Sequence, residues 1–501
     1  MAKALIVGAG VGGLAAALRL AHAGYQVEVH EKMARPGGRA NLFEFEGYRF
    51  DTGPTILLMR DIIEETFRAV GRDPADYLEF TRLDPGYQVN FPDGSSLRTR
   101  VDLMALRDEL EAIEPGSFEQ FMAFAGLGAQ LYYEARREFV EVNFDRLMDM
   151  IRPAKLPAYL RLRVTTSMHR LVGKYFKDPR LRNLFTFNAM YIGMNPYNAP
   201  GVYALLPYND TVEGVHFTKG GMYGLVEAML KVAQELGVQI QLNHPAERVE
   251  IQNGRAVGVR FADGVRNADL VLLNADWPRA QSDLLGRAPR HPLGVIKLQD
   301  GPSALNFYWA YQGEIPPGFY AHNIFLGPEF EQNFADVFAG RPHAQPAYYL
   351  HIPSLADPSL APPGGHVLYV LVPESNTDGN IDWSSERNRL RDFVQSDLAR
   401  RGFEVRGKIR HEEVVDPPRW QEEFGLAKGA TFGISHNVFQ VGYFRPHNRD
   451  DQYQNLYYVG ASTHPGAGIP MVLLSARLVV NRILADLGQP QSAPREPLAV
   501  S

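Results

Sequence analysis

KALIVGAGVGGLAAALRLAHAGYQVEVHE, residues 3–31, is the stretch whose reading decides the fold. Ala4 to Val7 is an apolar strand run, Gly12 to Ala23 is an Ala/Leu-rich helix, and Val27 to Glu31 is a second strand, so the segment predicts a βαβ unit. Gly8, Gly10 and Gly13 follow the first strand and open the helix, which is the setting that dinucleotide binding requires. Gly8 makes the turn, Gly10 lets a diphosphate approach the backbone, and Gly13 lets helix pack on strand, with the phosphates at the helix N-terminus. Glu31 ends the second strand at the distance expected of a carboxylate that accepts hydrogen bonds from ribose hydroxyls.

Two loops just downstream choose between dinucleotides. Arg35-Pro36-Gly37-Gly38-Arg39-Ala40 is a second glycine turn carrying two arginines, directly after Glu31-Lys32. It adds amides and positive charge for a diphosphate, a loop that an NAD site does not need. Phe50-Asp51-Thr52-Gly53-Pro54-Thr55 then supplies a small-residue stretch able to lie flat against a ring system. As a series, these loops predict FAD.

The rest of the chain sets bounds. At 501 residues it is longer than one core can organise, so two or more packed units are expected. Hydrophobic residues at 45% and charged residues at 22% fit a folded, non-polytopic protein, and a net charge of −6 gives no support to nucleic-acid binding. There is no cysteine, which excludes disulfides, thiolate catalysis and cysteine-ligated metals, so redox chemistry must come from a bound cofactor; no metal site is expected. The N-terminus shows no signal-peptide pattern and no run of about 18 apolar residues appears, so the expected address is cytoplasmic.

Long helical stretches are expected between Asp76 and Tyr208, including Ser117 to Phe139 and Leu156 to Phe176. A mixed block begins near Gly214, with a glycine cluster at Gly220 to Gly224, a helix to Leu236 and strands around Asn253-Gly254 and Asp263-Gly264 turns. Strand, glycine turn and helix recur from Leu456 to Leu487. The fold class is α/β: a Rossmann-like FAD-binding domain from residues 1–75, 214–290 and 440–488, interleaved with a mixed α+β substrate domain from 76–213 and 291–439. That second domain includes a helical segment at about 140–213, and 489–501 form a loose tail.

The series VGAGVGGLAAALRL (7–20), EKMARPGGRA (31–40), FDTGPT (50–55), FRPHNRD (444–450) and LYYVGASTHPGAGIPMVLLSAR (456–477) resembles the bacterial-type carotenoid (phytoene) desaturases, within the amine-oxidase-like flavoproteins. The resemblance covers essentially the whole chain. It implies that Gly460, Ala461, Gly466, Gly468 and Ile469 pass the flavin ring, that Pro470 and Met471 open a helix facing its pyrimidine edge, and that the backbone of Val249 meets the adenine. It also implies that Asp149 and Arg152 form an Asp-x-x-Arg element near the substrate with an acid/base role, although Asp and Arg at this spacing also make an ordinary surface helix pair. His464 is read evenly as a flavin neighbour or as a turn element.

The implied reaction is desaturation of an acyclic carotenoid by hydride transfer to flavin N5, with a quinone or O2 as electron acceptor. The segment Ser303 to Trp309 followed by His322 to Phe325 is more similar to desaturases of hydroxylated acyclic carotenoids, the 3,4-desaturase branch, than to those that begin with phytoene. A carotenoid isomerase or saturase, a flavin amine oxidase and a non-catalytic isoprenoid carrier of the GDP-dissociation-inhibitor kind stay open. Arg152 to Arg182 interleaves basic and apolar residues, which suits either a peripheral membrane surface at the inner face of the cell membrane or a solvated helix packed on the core. Aromatics expected to line a substrate tunnel are Phe185, Phe187, Tyr191, Tyr197, Tyr203, Tyr208, Phe307, Tyr308, Trp309 and Tyr311.

Overall fold

The computed structural model describes residues 2–488; the tail expected from 489 lies outside them. The opening unit forms as its pattern predicts, as strand β1 (Lys3–Val7), helix α1 (Val11–His22) and strand β2 (Gln26–His30). Three distant segments complete the sheet: β3 (Gln239–Gln241), β4 (Leu270–Leu273) and β5 (Leu456–Tyr458). The strand order is β5-β4-β1-β2-β3 and every pairing is parallel, so β1 sits at the centre and its C-terminal end is the switch point. Two further helices, α2 (Met222–Glu235) and α3 (Ile469–Asp486), pack against α1. The run Leu14 to Leu20 is wholly buried between them, which explains why α1 is apolar around its circumference rather than on one stripe.

A three-stranded antiparallel sheet (Ala246–Gln252, Arg255–Phe261, Gly264–Asn267) hangs beside β4. Its first turn is Asn253-Gly254, with φ of 48° and 73°, the left-handed pair that a two-residue hairpin demands.

The second unit is built on a seven-stranded sheet in the order 409–415, 303–312, 365–374, 348–351, 322–325, 88–90, 96–98. The strands at 88–90 and 96–98, with another at 80–82, fall where only helices were expected. The pair 88–90 and 96–98 forms a hairpin whose turn signal is Asp93-Gly94, with Gly94 at φ 86°. Strand 303–312 is buried on both faces and reads as a mainly apolar run broken by Asn306. Phe307, Trp309 and Tyr311 point to a core shared with Leu390, Val394 and Leu398 of the helix Trp383–Arg400, so these three do not line a tunnel. Residues on the opposite face, including Ala304 and Asn306, line a cavity that the two units share.

The helix Ser117–Ala135 continues as a π-turn over Arg136–Val140. The single helix expected over Leu156 to Phe176 is instead two short ones, Leu156–Arg161 and Met168–Val172. The break is local chemistry. Arg163 adopts a left-handed φ of 54°, and Ser167 caps a new start by accepting from the amide of Arg170 (3.3 Å). Asp178 caps Pro179–Leu184 in the same way (2.8 Å).

Candidate active site

One continuous cavity of about 910 Å³ runs from the glycine turns of the parallel sheet to the aromatic inner wall of the second unit. Gly8, Gly10, Glu31, Lys32, Gly38, Arg39, Gly53, Pro54 and Thr55 line it from the N-terminal side, and Gly460, Ala461, Gly466, Gly468, Ile469, Pro470 and Met471 from the C-terminal side. Gly10 and Gly466 therefore share one chamber although more than 450 residues separate them in the chain. Gly13 is not in the wall. A Cβ there would stand 2.1 Å from the carbonyl oxygen of Gly8, so it serves the close approach of helix to turn.

The N-terminal half is a cradle with open hydrogen-bonding groups. The first turn of α1 carries no side-chain cap, and Gly10, Val11 and Gly12 face the cavity. Helix α3 opens the same way from Gly468, at φ 103°. Two uncapped helix N-termini thus meet one cavity, each presenting unsatisfied amides and the positive end of its dipole. The carboxylate of Glu31 accepts from the amides of Ala9 (2.7 Å) and Met33 (2.9 Å), which fixes it at the end of β2 with further lone pairs available.

Charge fits the same ligand. The guanidinium of Arg39 donates to the carbonyl of Thr431 (2.8 Å) and makes no ion pair among the described residues. Burial, opposed by the nearby Asp276, lowers its pKa, and this half-buried guanidinium in the cavity wall is available to pair with an anion. A diphosphate is such an anion. Arg136, by contrast, also lines the cavity but is neutralised by Asp61 (3.0 Å) and Glu141 (2.6 Å), so the far wall keeps no uncompensated charge there. Arg35, the other arginine of the second glycine turn, pairs with Glu44 and does not line the cavity.

Three tyrosine hydroxyls hold the 52–55 stretch flat: Tyr308 donates to the carbonyl of Thr52, Tyr369 to that of Gly53 (3.1 Å), and Tyr349 to Thr55 Oγ1 (2.9 Å). Tyr308 therefore fastens the cofactor segment rather than lining a tunnel. Of the other aromatics expected in the wall, Phe187, Tyr191 and Tyr203 are there, whereas Phe185, Tyr197 and Tyr208 pack elsewhere. Tyr132, Phe139, Phe334, Tyr349 and Phe432 take their place.

Sequence reasoning missed three residues that organise the site. Asn274, directly after β4, donates to the carbonyl of Gly8 (3.2 Å) and lies under Gly10, Gly12 and Gly13, where an added Cβ would meet it within about 3 Å. Asp276 accepts from Ser462 Oγ and from the amide of Ala427 (2.9 Å), tying two loops of the cavity wall. Arg445, within the FRPHNRD motif, is fully buried and donates to the carbonyls of Ile434, Ser435, Gln440, Ala461 and Thr463 at 2.6–3.2 Å. Burial lowers its pKa to about 10, and it makes no ion pair among the described residues. The sequence signal was the FRPHNRD stretch itself, in which Arg445 stands directly before Pro446.

The Val249 side chain packs into the core between the small sheet and β4, and Pro245 and Ala246 at the start of the same strand line the cavity. Asp149 and Arg152 are not in the wall. Asp149 accepts from the amides of Arg146 (3.0 Å) and Asp145 (3.2 Å) and pairs with Arg152 (2.6 Å), whose side chain is 63% exposed. These bonds, chiefly that from Arg146, hold the Asp149 carboxyl below the usual range, so the pair is a helix-start cap at the surface. His464 lines the cavity with its Nε2 donating to the carbonyl of Val142 (2.8 Å) and its ring against Phe144. Burial drives its pKa down to about 3, so it packs as a neutral imidazole. No cluster of side chains able to hold a metal occurs among the described residues.

A parallel-sheet dinucleotide cradle with two helix N-termini on one cavity and an arginine without an ion pair in its wall defines an FAD-dependent oxidoreductase. The chain belongs to the flavin containing amine oxidoreductase family, whose model matches residues 11–484, and within it to the carotenoid desaturases. It is 41% identical over 485 residues to the zeta-carotene-forming phytoene desaturase of Myxococcus xanthus, covering 96% of this chain and 94% of that one. It is 34% identical to a 4,4'-diapophytoene desaturase of Staphylococcus aureus, covering 97% and 99%. The fold is also similar to that of putrescine oxidase bound to putrescine, at a TM-score of 0.63 with 17% identity over 97% of this chain and 98% of that one.

Proposed function

We propose that this protein introduces carbon–carbon double bonds into an acyclic carotenoid. The observation that carries the reading is the continuity of the FAD cradle with a large, mainly apolar chamber: Leu162, Val164, Phe187, Ile192, Leu205 and Phe334 line the same space as Gly10 and Gly466. Bound FAD supplies a two-electron acceptor for a hydride drawn from an allylic C–H, and a proton leaves the neighbouring carbon. The chain's own part is to hold a long hydrocarbon against Gly53, Pro54 and Thr55 and to keep water away from it.

The substrate is an acyclic carotenoid of one of two kinds, a hydrocarbon of the phytoene type or a hydroxylated derivative, and the second is the favoured subtype. The electron acceptor in this reading is a quinone or O2. Expression in a host supplied with phytoene, lycopene or hydroxylated lycopene derivatives is the test. Products lighter by two hydrogens per step support the proposal; products of unchanged mass or heavier by two would turn it into an isomerase or a saturase.

On this reading the protein works in the cytoplasm, docked on the inner face of the cell membrane, since its substrate lives in the bilayer. No helix among the described residues is long and apolar enough to cross a membrane. Support for docking lies at the cavity's rim: Met150, Tyr159, Leu162 and Gly442 line the chamber, while Met148, Leu160 and Phe439 of the same segments are 58%, 68% and 56% exposed. Arg163, Arg170, Lys174 and Lys177 nearby are exposed and make no ion pair among the described residues. Sedimentation with anionic vesicles is expected to weaken several-fold when Leu160→Asp and Phe439→Asp are combined. Equal binding of wild type to anionic and neutral vesicles would remove the electrostatic part of this proposal.

A further inference from the structure

The wall of the chamber is mainly apolar, and of the two carboxamides on its apolar side Asn306 is held through Nδ2 by the Tyr369 hydroxyl (2.7 Å) whereas Asn209 is held at neither end. Asn209 lines it, is 2% exposed, and its carboxamide makes no hydrogen bond among the described residues; Oδ1 is fully buried without a partner. Next to it in the chain lies the buried Asp210. Asp210 accepts from Asn188 Nδ2 (2.5 Å) and from Thr211 Oγ1 (3.1 Å), and the hydroxyls of Tyr87 and Tyr191 approach Asp210 without closing a hydrogen bond. Burial raises the Asp210 pKa to about 8, so near neutral pH the group is mainly a carboxylic acid that can donate as well as accept. Tyr191 presents its ring to the chamber, and it neighbours Tyr349, which is bonded to Thr55 at the cofactor end.

Unsatisfied polar atoms in an apolar wall are costly, each roughly 1–3 kcal/mol, and are rarely kept without a use. A pure hydrocarbon leaves the carboxamide of Asn209 stranded. A substrate hydroxyl, which both donates and accepts, satisfies it, and the backing side chains restrict where that hydroxyl can sit. We infer that Asn209, backed by Tyr191, Asp210 and Tyr87, is a subsite for a hydroxyl group carried by the polyene substrate. The inference rests on the proposed desaturase function and selects the hydroxylated class within it.

The test uses the full-length, FAD-loaded protein with two ligands, lycopene and a lycopene derivative hydroxylated at one end. Affinity is read from quenching of intrinsic fluorescence in detergent, since Trp420 lines the chamber, and turnover is read separately by product mass. Wild type is expected to bind the hydroxylated polyene about tenfold or more tighter than its hydrocarbon parent. Asn209→Leu should bring that ratio to within about twofold, and Tyr191→Phe should lower it partway, which gives a second variant if the first fails to fold.

Equal affinities in wild type, as expected if an ordered water fills the recess, would overturn the inference, as would an unchanged ratio in both variants. Discrimination in binding without desaturation of either ligand would keep the subsite and sink the desaturase reading. Desaturation of both with no discrimination would do the reverse.

Discussion

Arg445 shows how much a single side chain can organise. Five carbonyls from two loops, 434–440 and 461–463, converge on its guanidinium, which ties the first loop to Ala461 and Thr463 beside the flavin cradle. Arg445→Met would leave the carbonyls of Ile434, Gln440, Ala461 and Thr463 without this donor, a cost of about 3 kcal/mol or more. Flavin absorbance per mole of purified protein should fall and the denaturant midpoint should drop, with Arg445→Lys restoring part of both. Asp149 is the opposite case. Because its carboxylate is spent on two amides and a surface arginine, Asp149→Asn is expected to change turnover by less than about twofold; a loss of a hundredfold would reinstate the acid/base role.

At the scale of elements, local chemistry decides where chains turn and where helices stop. The hairpin at Asn253-Gly254 is written in the sequence as the dipeptide that tolerates two left-handed residues. Gly254→Val should therefore cost roughly 1–2 kcal/mol, read as a lower denaturant midpoint with flavin content retained, since the turn is at the far end of its strand from Ala246 and is not in the cavity wall. The segment at 156–176 departs from its expected single helix for a related reason: an apolar periodicity runs through Arg163, and the competing cap at Ser167 outweighs it. The strands at 80–98 are not legible in the sequence because three-residue pairings carry almost no periodic signal and are stabilised by the sheet that they join.

Across the whole molecule, one ligand bridges segments that have no covalent reason to be near each other. The cradle takes residues from the first 55 positions, from 274–276, and from 460–472, so occupancy by FAD should stabilise the fold as a unit. Free FAD at a hundred times its dissociation constant should add about 2.7 kcal/mol, visible as a single cooperative thermal transition moving upward. A rise limited to a minor early transition would mean that the cradle folds independently of the rest.

The sequence by itself determined the βαβ opening, the identity of the cofactor class and the membership of Gly8, Gly10, Glu31, Gly38, Arg39, Gly53 and the 460–471 stretch in one site. Those are contiguous motifs in which backbone conformation and helix-terminus dipoles are set within a few residues. Only the tertiary structure decided that Asn274, Asp276 and Arg445 support that site, that Asp149 and Arg152 stand outside it, and that Asn209 faces the chamber unpartnered. These facts depend on which buried polar groups find partners across hundreds of residues, and hydrogen-bond satisfaction is a property of the packed interior that no local pattern records.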